Sequence, residues 1–196
     1  MVVTKYATPQ QIREVIASGL VSEIGESRVQ TAEAKRSELG ELAGQVQWRL
    51  IGHLQTNKAR KAAQVFDAVD SVDSLHVAQA LEKALAPVGK TLPVLVQVKL
   101  TERETQGGVD PEALEGLLQG LQTYPHLEVR GLMTIAPQAS SPEDVRPHFR
   151  RMRGWFDRFF ASRPAAQLSM GMSSDYEVAV EEGATMVRCG SVVFGE

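Results

Sequence analysis

A chain of 196 residues that is 43% apolar and 23% charged is sized for one folded domain around a single core. Its net charge of −3, with lysines and arginines scattered along the sequence, excludes a nucleic-acid or anionic-membrane surface built on basic charge. The lone cysteine, Cys189, excludes an internal disulfide framework and a cysteine-built zinc site, the four histidines lack metal-ligand spacing, and no apolar run approaches the roughly 20 residues of a membrane span.

Short β-branched runs alternate with amphipathic stretches from one end to the other, the pattern of βα units around a parallel sheet. Residues 2–4 are the first predicted strand and lead directly into Lys5. Thr8-Pro9 then opens a helix over 10–18, with Ile12, Val15 and Ile16 as its apolar stripe and Gly19 as its stop. A strand at 21–24 is followed by Gly25-Glu26-Ser27 and a helix over 27–39. The third strand, 46–51, runs into Gly52-His53-Leu54-Gln55-Thr56-Asn57-Lys58 and a helix over 57–64. Strands at 68–72, 93–100, 128–135, 167–171 and 185–189 continue the series, separated by helices over 74–86, 111–122, 142–161 and 174–182. Each helix supplies the crossover that a parallel pair of strands requires.

Eight such units close into a (β/α)8 barrel, whereas an open doubly wound sheet has fewer strands and a glycine-rich first turn, and no G-x-G-x-x-G follows the first strand here. The expectation is one barrel domain spanning 1–196. The chain opens on a strand, so the leading helix that would cover the barrel floor is expected to be absent. A soluble, cytoplasmic protein is expected, with no nucleic-acid or membrane partner. No long apolar stripe remains once the helices cover the barrel, which favours a monomer.

Function in a barrel sits at the C-terminal ends of the strands. Lys5 is at such an end, and at the mouth of an apolar barrel desolvation disfavours the ammonium and frees an amine to attack an aldehyde. The alternative is a lysine snorkelling to solvent. After the seventh strand, Met172-Ser173-Ser174-Asp175 offers backbone N–H groups and the Ser173 hydroxyl to an anion, or else Ser173 caps its helix. The eighth strand ends on Arg188-Cys189-Gly190-Ser191, a second small-residue turn beside the first, as in barrel phosphate sites after strands seven and eight. Arg188 lies in an apolar strand and needs either a ligand or an ion-pair partner such as Glu26 or Glu177. His53 and Asn57 follow the third strand as further polar groups, Asn57 being alternatively a helix N-cap, and Glu26 adds a carboxylate at the mouth.

On Val3-Thr4-Lys5, Gly25-Glu26-Ser27-Arg28-Val29-Gln30, the Ile51 to Lys58 segment, Arg130-Gly131-Leu132-Met133-Thr134-Ile135, Leu168-Ser169-Met170-Gly171-Met172-Ser173 and Val187-Arg188-Cys189-Gly190, the chain resembles the YggS/PROSC family of pyridoxal phosphate homeostasis proteins. The resemblance implies a barrel like the N-terminal domain of alanine racemase. It implies pyridoxal 5′-phosphate held as a Schiff base on Lys5, its phosphate at Ser173, Gly190 and Ser191, and its pyridine nitrogen facing Arg188; the residues after the third strand add Asn57 as a candidate cofactor contact. It also implies a role in vitamin B6 homeostasis without established turnover, with pyridoxal-phosphate-dependent apo-enzymes as possible recipients. The chain departs from the family pattern at Ser27 (usually Asn), Arg49 (usually His) and Gln106 (often Lys). Two other readings stay open: an amino-acid racemase or lyase built on the same lysine, and a barrel enzyme whose Lys5 meets a phosphorylated metabolite directly.

Overall fold

The computed structural model describes residues 1–101 and 107–195; Gln106 lies outside the described residues. Eight parallel strands form one sheet in chain order: β1 (Val2–Val3), β2 (Glu23–Glu26), β3 (Gln47–Leu50), β4 (Ala68–Val72), β5 (Leu92–Gln97), β6 (Leu127–Met133), β7 (Gln167–Met172) and β8 (Met186–Arg188). The sheet closes on itself. Val3 N–H donates to the Cys189 carbonyl at 2.8 Å, and Cys189 N–H to the Met1 carbonyl at 3.2 Å. Helices α1 (Pro9–Ala17), α2 (Val29–Leu39), α3 (Ala59–Val65), α4 (Leu75–Leu85), α5 (Leu114–Leu121), α6 (Arg146–Phe160), α7 (Tyr176–Glu181) and α8 (Ser191–Phe194) follow the strands in turn.

The expected (β/α)8 barrel is therefore what the chain forms, with instructive offsets. The second strand runs over Glu23–Glu26, two residues beyond the predicted 21–24. Glycine and a carboxylate read as loop in sequence, but Gly25 fits within β2 at a tight spot, where a Cβ would press on the Met1 sulfur at 3.0 Å and the Ile51 side chain at 3.2 Å. Glu26 is buried because it finds an ion-pair partner. Proline-led turns start several helices: Pro111–Ala113 and Pro142–Val145 are single 3-10 turns ahead of α5 and α6. The short helix α8 has no counterpart among the predicted elements, since four residues hold too little periodicity to read.

Apolar residues pack between the strands and the surrounding helices, among them Ile12, Trp48, Phe66 and Phe149, all fully buried. Polar groups in the closed interior are paired. The Arg49 guanidinium grips Asp70 with Nε and Nη2 at 2.9 and 2.7 Å, and reaches Glu23 and Gln167 at 2.9 Å each, so one side chain ties β2, β3, β4 and β7 together. Burial raises the Asp70 carboxyl above its ordinary value, and the Arg49 charge opposes that rise.

Candidate functional site

A cavity of about 450 Å³ opens at the C-terminal ends of the strands, lined by Lys5, Tyr6, Ser173, Arg188, Gly190 and Ser191, with Ile51, Ile135 and Phe194 as apolar wall. That volume is in the usual range of small-molecule sites, roughly 300–1,000 Å³. A larger groove of about 580 Å³ lies at the other end of the barrel, around Leu127 and Arg163, and holds none of the predicted residues. Barrel closure creates the site: Lys5 leaves β1 and Arg188 sits in β8, neighbours across the seam although far apart in sequence.

Lys5 is exposed, with its ammonium 4.6 Å from the centre of the Tyr6 ring. The expected desolvated amine is thus not what the fold presents, because the rim beside Tyr6 is open to water. Behind Lys5 the environment is different. The Thr4 hydroxyl donates to Glu26 at 2.6 Å, Lys35 pairs with the same carboxylate oxygen at 2.7 Å, and the Lys35 ammonium also donates to the Thr4 carbonyl. Glu26 therefore faces inward rather than adding charge to the mouth. The sequence motifs do not single out Lys35, although it falls on the buried stripe of α2 with Val29, Ala32 and Leu39, where a lysine signals a carboxylate beneath it.

Ser173 does not cap α7, whose N-cap is Asp175. Its hydroxyl oxygen instead accepts from the N–H groups of Gly190 at 3.0 Å and Val192 at 3.4 Å, so the turns after β7 and β8 meet at one oxygen. Two N–H donors converging on an oxygen is the arrangement an anion's oxygen would use. Gly171, at φ +89°, lets β7 run this close to α7, since a Cβ there would lie 2.5 Å from that of Ala179. Arg188 is 3% exposed and donates to the Ser169 hydroxyl at 2.8 Å and the Thr134 carbonyl at 2.6 Å. Neither Glu26 nor Glu177 is its ion-pair partner: Glu26 is taken by Lys35, and Glu177 accepts from the Tyr176 hydroxyl. Burial brings the Arg188 guanidinium down to about 10, with Asp70 and Asp175 pulling the other way, so it stays cationic at neutral pH.

Asn57 stands apart from this group. It is exposed in the 3-10 turn Thr56–Lys58 and lines a separate groove between α3 and α4, because the chain turns away from the mouth after Gly52. His53 is exposed too, 3.5 Å from Asp73, and does not line the cavity. Among the described residues no three histidine, cysteine or carboxylate side chains are grouped to hold a metal ion.

The closed eight-stranded barrel, with a lysine after β1 and the turns after β7 and β8 joined at Ser173, is of the class of the alanine racemase N-terminal domain, whose family model matches residues 1–196. Within that class the chain belongs to the family of the pyridoxal phosphate homeostasis proteins. It is 40% identical over 195 residues to the member from Aquifex aeolicus, covering 98% of this chain and 84% of the relative. It is 35% identical to the member from Synechocystis, covering 99% and 89%. The structure of PipY from Synechococcus elongatus with pyridoxal phosphate bound superimposes with a TM-score of 0.89 at 38% identity, over 100% of this chain and 92% of that one. Alanine racemase from Clostridium difficile shares the fold at 15% identity, with a TM-score of 0.77 over 51% of its length.

Proposed function

We propose that this protein binds pyridoxal 5′-phosphate covalently at Lys5 and serves intracellular vitamin B6 homeostasis as a cytoplasmic, monomeric carrier, without a turnover of its own. The observation that carries the reading is the meeting of Lys5, Arg188, Ser173 and Gly190 around one cavity. The donor set fits the cofactor: N–H groups and a hydroxyl suit its phosphate, and aliphatic walls suit its ring. Lys5 would hold the cofactor as a Schiff base, and the group would supply an electrophilic aldehyde carbon to the lysine nitrogen.

The chain's own residues determine how that molecule is held. Gly190, Ser173 and Ser191 would hold the anion, where the Gly190 N–H already meets the Ser173 hydroxyl. Arg188 keeps its positive charge toward the ring, which disfavours a proton on the pyridine nitrogen and so weakens the electron sink on which most such cofactor chemistry depends. Racemisation needs acid and base on opposite faces of the substrate, and beside Lys5 the cavity lining supplies Tyr6 and Arg188 as ionisable groups. The charge of Arg188 supports carriage over catalysis. The open rim supports exchange of cofactor with apo-enzymes that depend on it. No helix among the described residues is long and apolar enough to cross a membrane.

Borohydride reduction of the protein mixed with pyridoxal phosphate, followed by peptide mapping, tests the assignment. Label on Lys5, lost in Lys5→Ala, is the expected outcome. Label spread evenly over surface lysines would remove Lys5 from the role.

A further inference from the structure

The strand that delivers Lys5 is short. β1 has two residues in regular pairing, so the ladder alone leaves the backbone at Lys5 loosely defined. Thr4, the last residue before it, is held from three directions. Its N–H donates to the Gly25 carbonyl at 3.1 Å, its hydroxyl to Glu26 at 2.6 Å, and its carbonyl accepts from the Lys35 ammonium. Thr4 and Glu26 are 0% and 1% exposed, and Lys35 is 9% exposed. Burying an ion pair of this kind costs desolvation that ordinary apolar packing would avoid, so its placement against this one residue calls for a reason.

We propose that Lys35 and Glu26 are positioning residues that fix the direction in which Lys5 leaves β1, and thereby the orientation of whatever Lys5 carries. This rests on the proposed covalent role of Lys5 and adds to it. The pair clamps both the side chain and the carbonyl of Thr4, a carbonyl that also accepts from the Ala7 N–H, and so restrains the peptide that joins Thr4 to Lys5. Neither residue lines the cavity, so both act through the backbone and neither touches a bound molecule.

Three variants separate positioning from general stability. Lys35→Met and Glu26→Gln each strand one buried charge or its partner, and both should lower the melting temperature and weaken retention of pyridoxal phosphate. The double variant Lys35→Met/Glu26→Gln removes the unpaired charge, so its melting temperature should recover toward that of the parent. Its retention should stay about tenfold weaker, the scale of one lost charge-assisted hydrogen bond. The circular dichroism induced in the bound cofactor, which reports a fixed orientation, should stay diminished. A double variant with parent-like melting, retention and induced dichroism would overturn the proposal. If the double variant fails to fold, Thr4→Val replaces it, since it keeps the branched shape and the ion pair and loses only the hydroxyl. Reduced induced dichroism is then expected, and a parent-like signal overturns the clamp. The parent protein is the control for the underlying reading: absence of label on Lys5 in the parent defeats the covalent assignment itself, whereas label on Lys5 in parent and variants alike, with unchanged dichroism, defeats only the positioning role.

Discussion

Arg188 shows how a single side chain divides between fold and function. Its guanidinium is spent on the Ser169 hydroxyl and the Thr134 carbonyl, which locks β8 to β7 and to the end of β6, while its charge projects toward the cavity. Replacing it with methionine leaves that carbonyl without its donor and should cost about 1–3 kcal/mol in denaturant unfolding. The same variant should let a bound pyridine take up a proton more readily, seen as an absorbance that changes with pH where the parent's does not. Lowered to about 10 by burial, Arg188 in the parent is protonated both folded and unfolded at neutral pH. Its burial cost is therefore constant there and is shed only as pH rises through that value, so this residue should leave the melting temperature flat between roughly pH 6 and 9. Residue types and strand-end positions make Lys5, Ser173, Arg188, Gly190 and Ser191 legible in sequence as one group. Asn57 is misplaced by the same reasoning because a polar residue just past a strand end looks the same whether the loop folds over the mouth or away from it.

Among the elements, β6 and α6 depend on local features that sequence patterns signal weakly. Gly131 sits at φ +146° beside the register shift in the β5–β6 pairing, where a Cβ would lie 2.0 Å from the Gln167 carbonyl oxygen. Gly131→Ala should therefore destabilise by about 3 kcal/mol or more, through backbone strain and a clash that no rotamer relieves, as read in chemical denaturation. At the start of α6, Arg146 bonds Glu143, Glu182 and Glu181 at 2.7, 2.7 and 2.6 Å, tying the helix to the end of α7. These hydrogen bonds hold Glu143 and Glu182 below the ordinary carboxylate value. Carboxyls depressed in the folded state stabilise above their unfolded value and lose that contribution as pH falls through the folded one. Below roughly pH 4.5 the parent's melting temperature should fall more steeply than that of Arg146→Ala, and equal slopes would show the clasp to be inert. Helix existence is readable from apolar stripes, but strand limits are not: β2 extends through Gly25 and Glu26 only because the neighbours they meet lie elsewhere in the sequence.

The whole molecule is organised around its seam. The hydrogen bonds of Val3 and Cys189, and that from the Met1 amino group to the Val187 carbonyl across 186 positions, join the two ends of the chain directly beneath the cavity. A ligand that bridges Lys5 and the turn after β8 adds its binding energy across this join. Hydrogen exchange at the Val3 and Cys189 amides should slow on addition of pyridoxal phosphate by more than at amides of β4 and β5, and a uniform slowing would place the ligand elsewhere. Contacts of such long sequence separation form late in folding, since their loop-closure entropy must first be overcome. The barrel as a class is readable from eight repeated units, while the seam itself has no local signature.

That join also imposes an order in time. During synthesis Lys5 leaves the ribosome long before Arg188, Gly190 and Ser191 do, so a nascent or prematurely terminated polypeptide displays Lys5 without the strand that joins β1 across the seam. Only a finished chain assembles both halves. A mouth divided between the first and last strands of its barrel takes shape only when both strands are present.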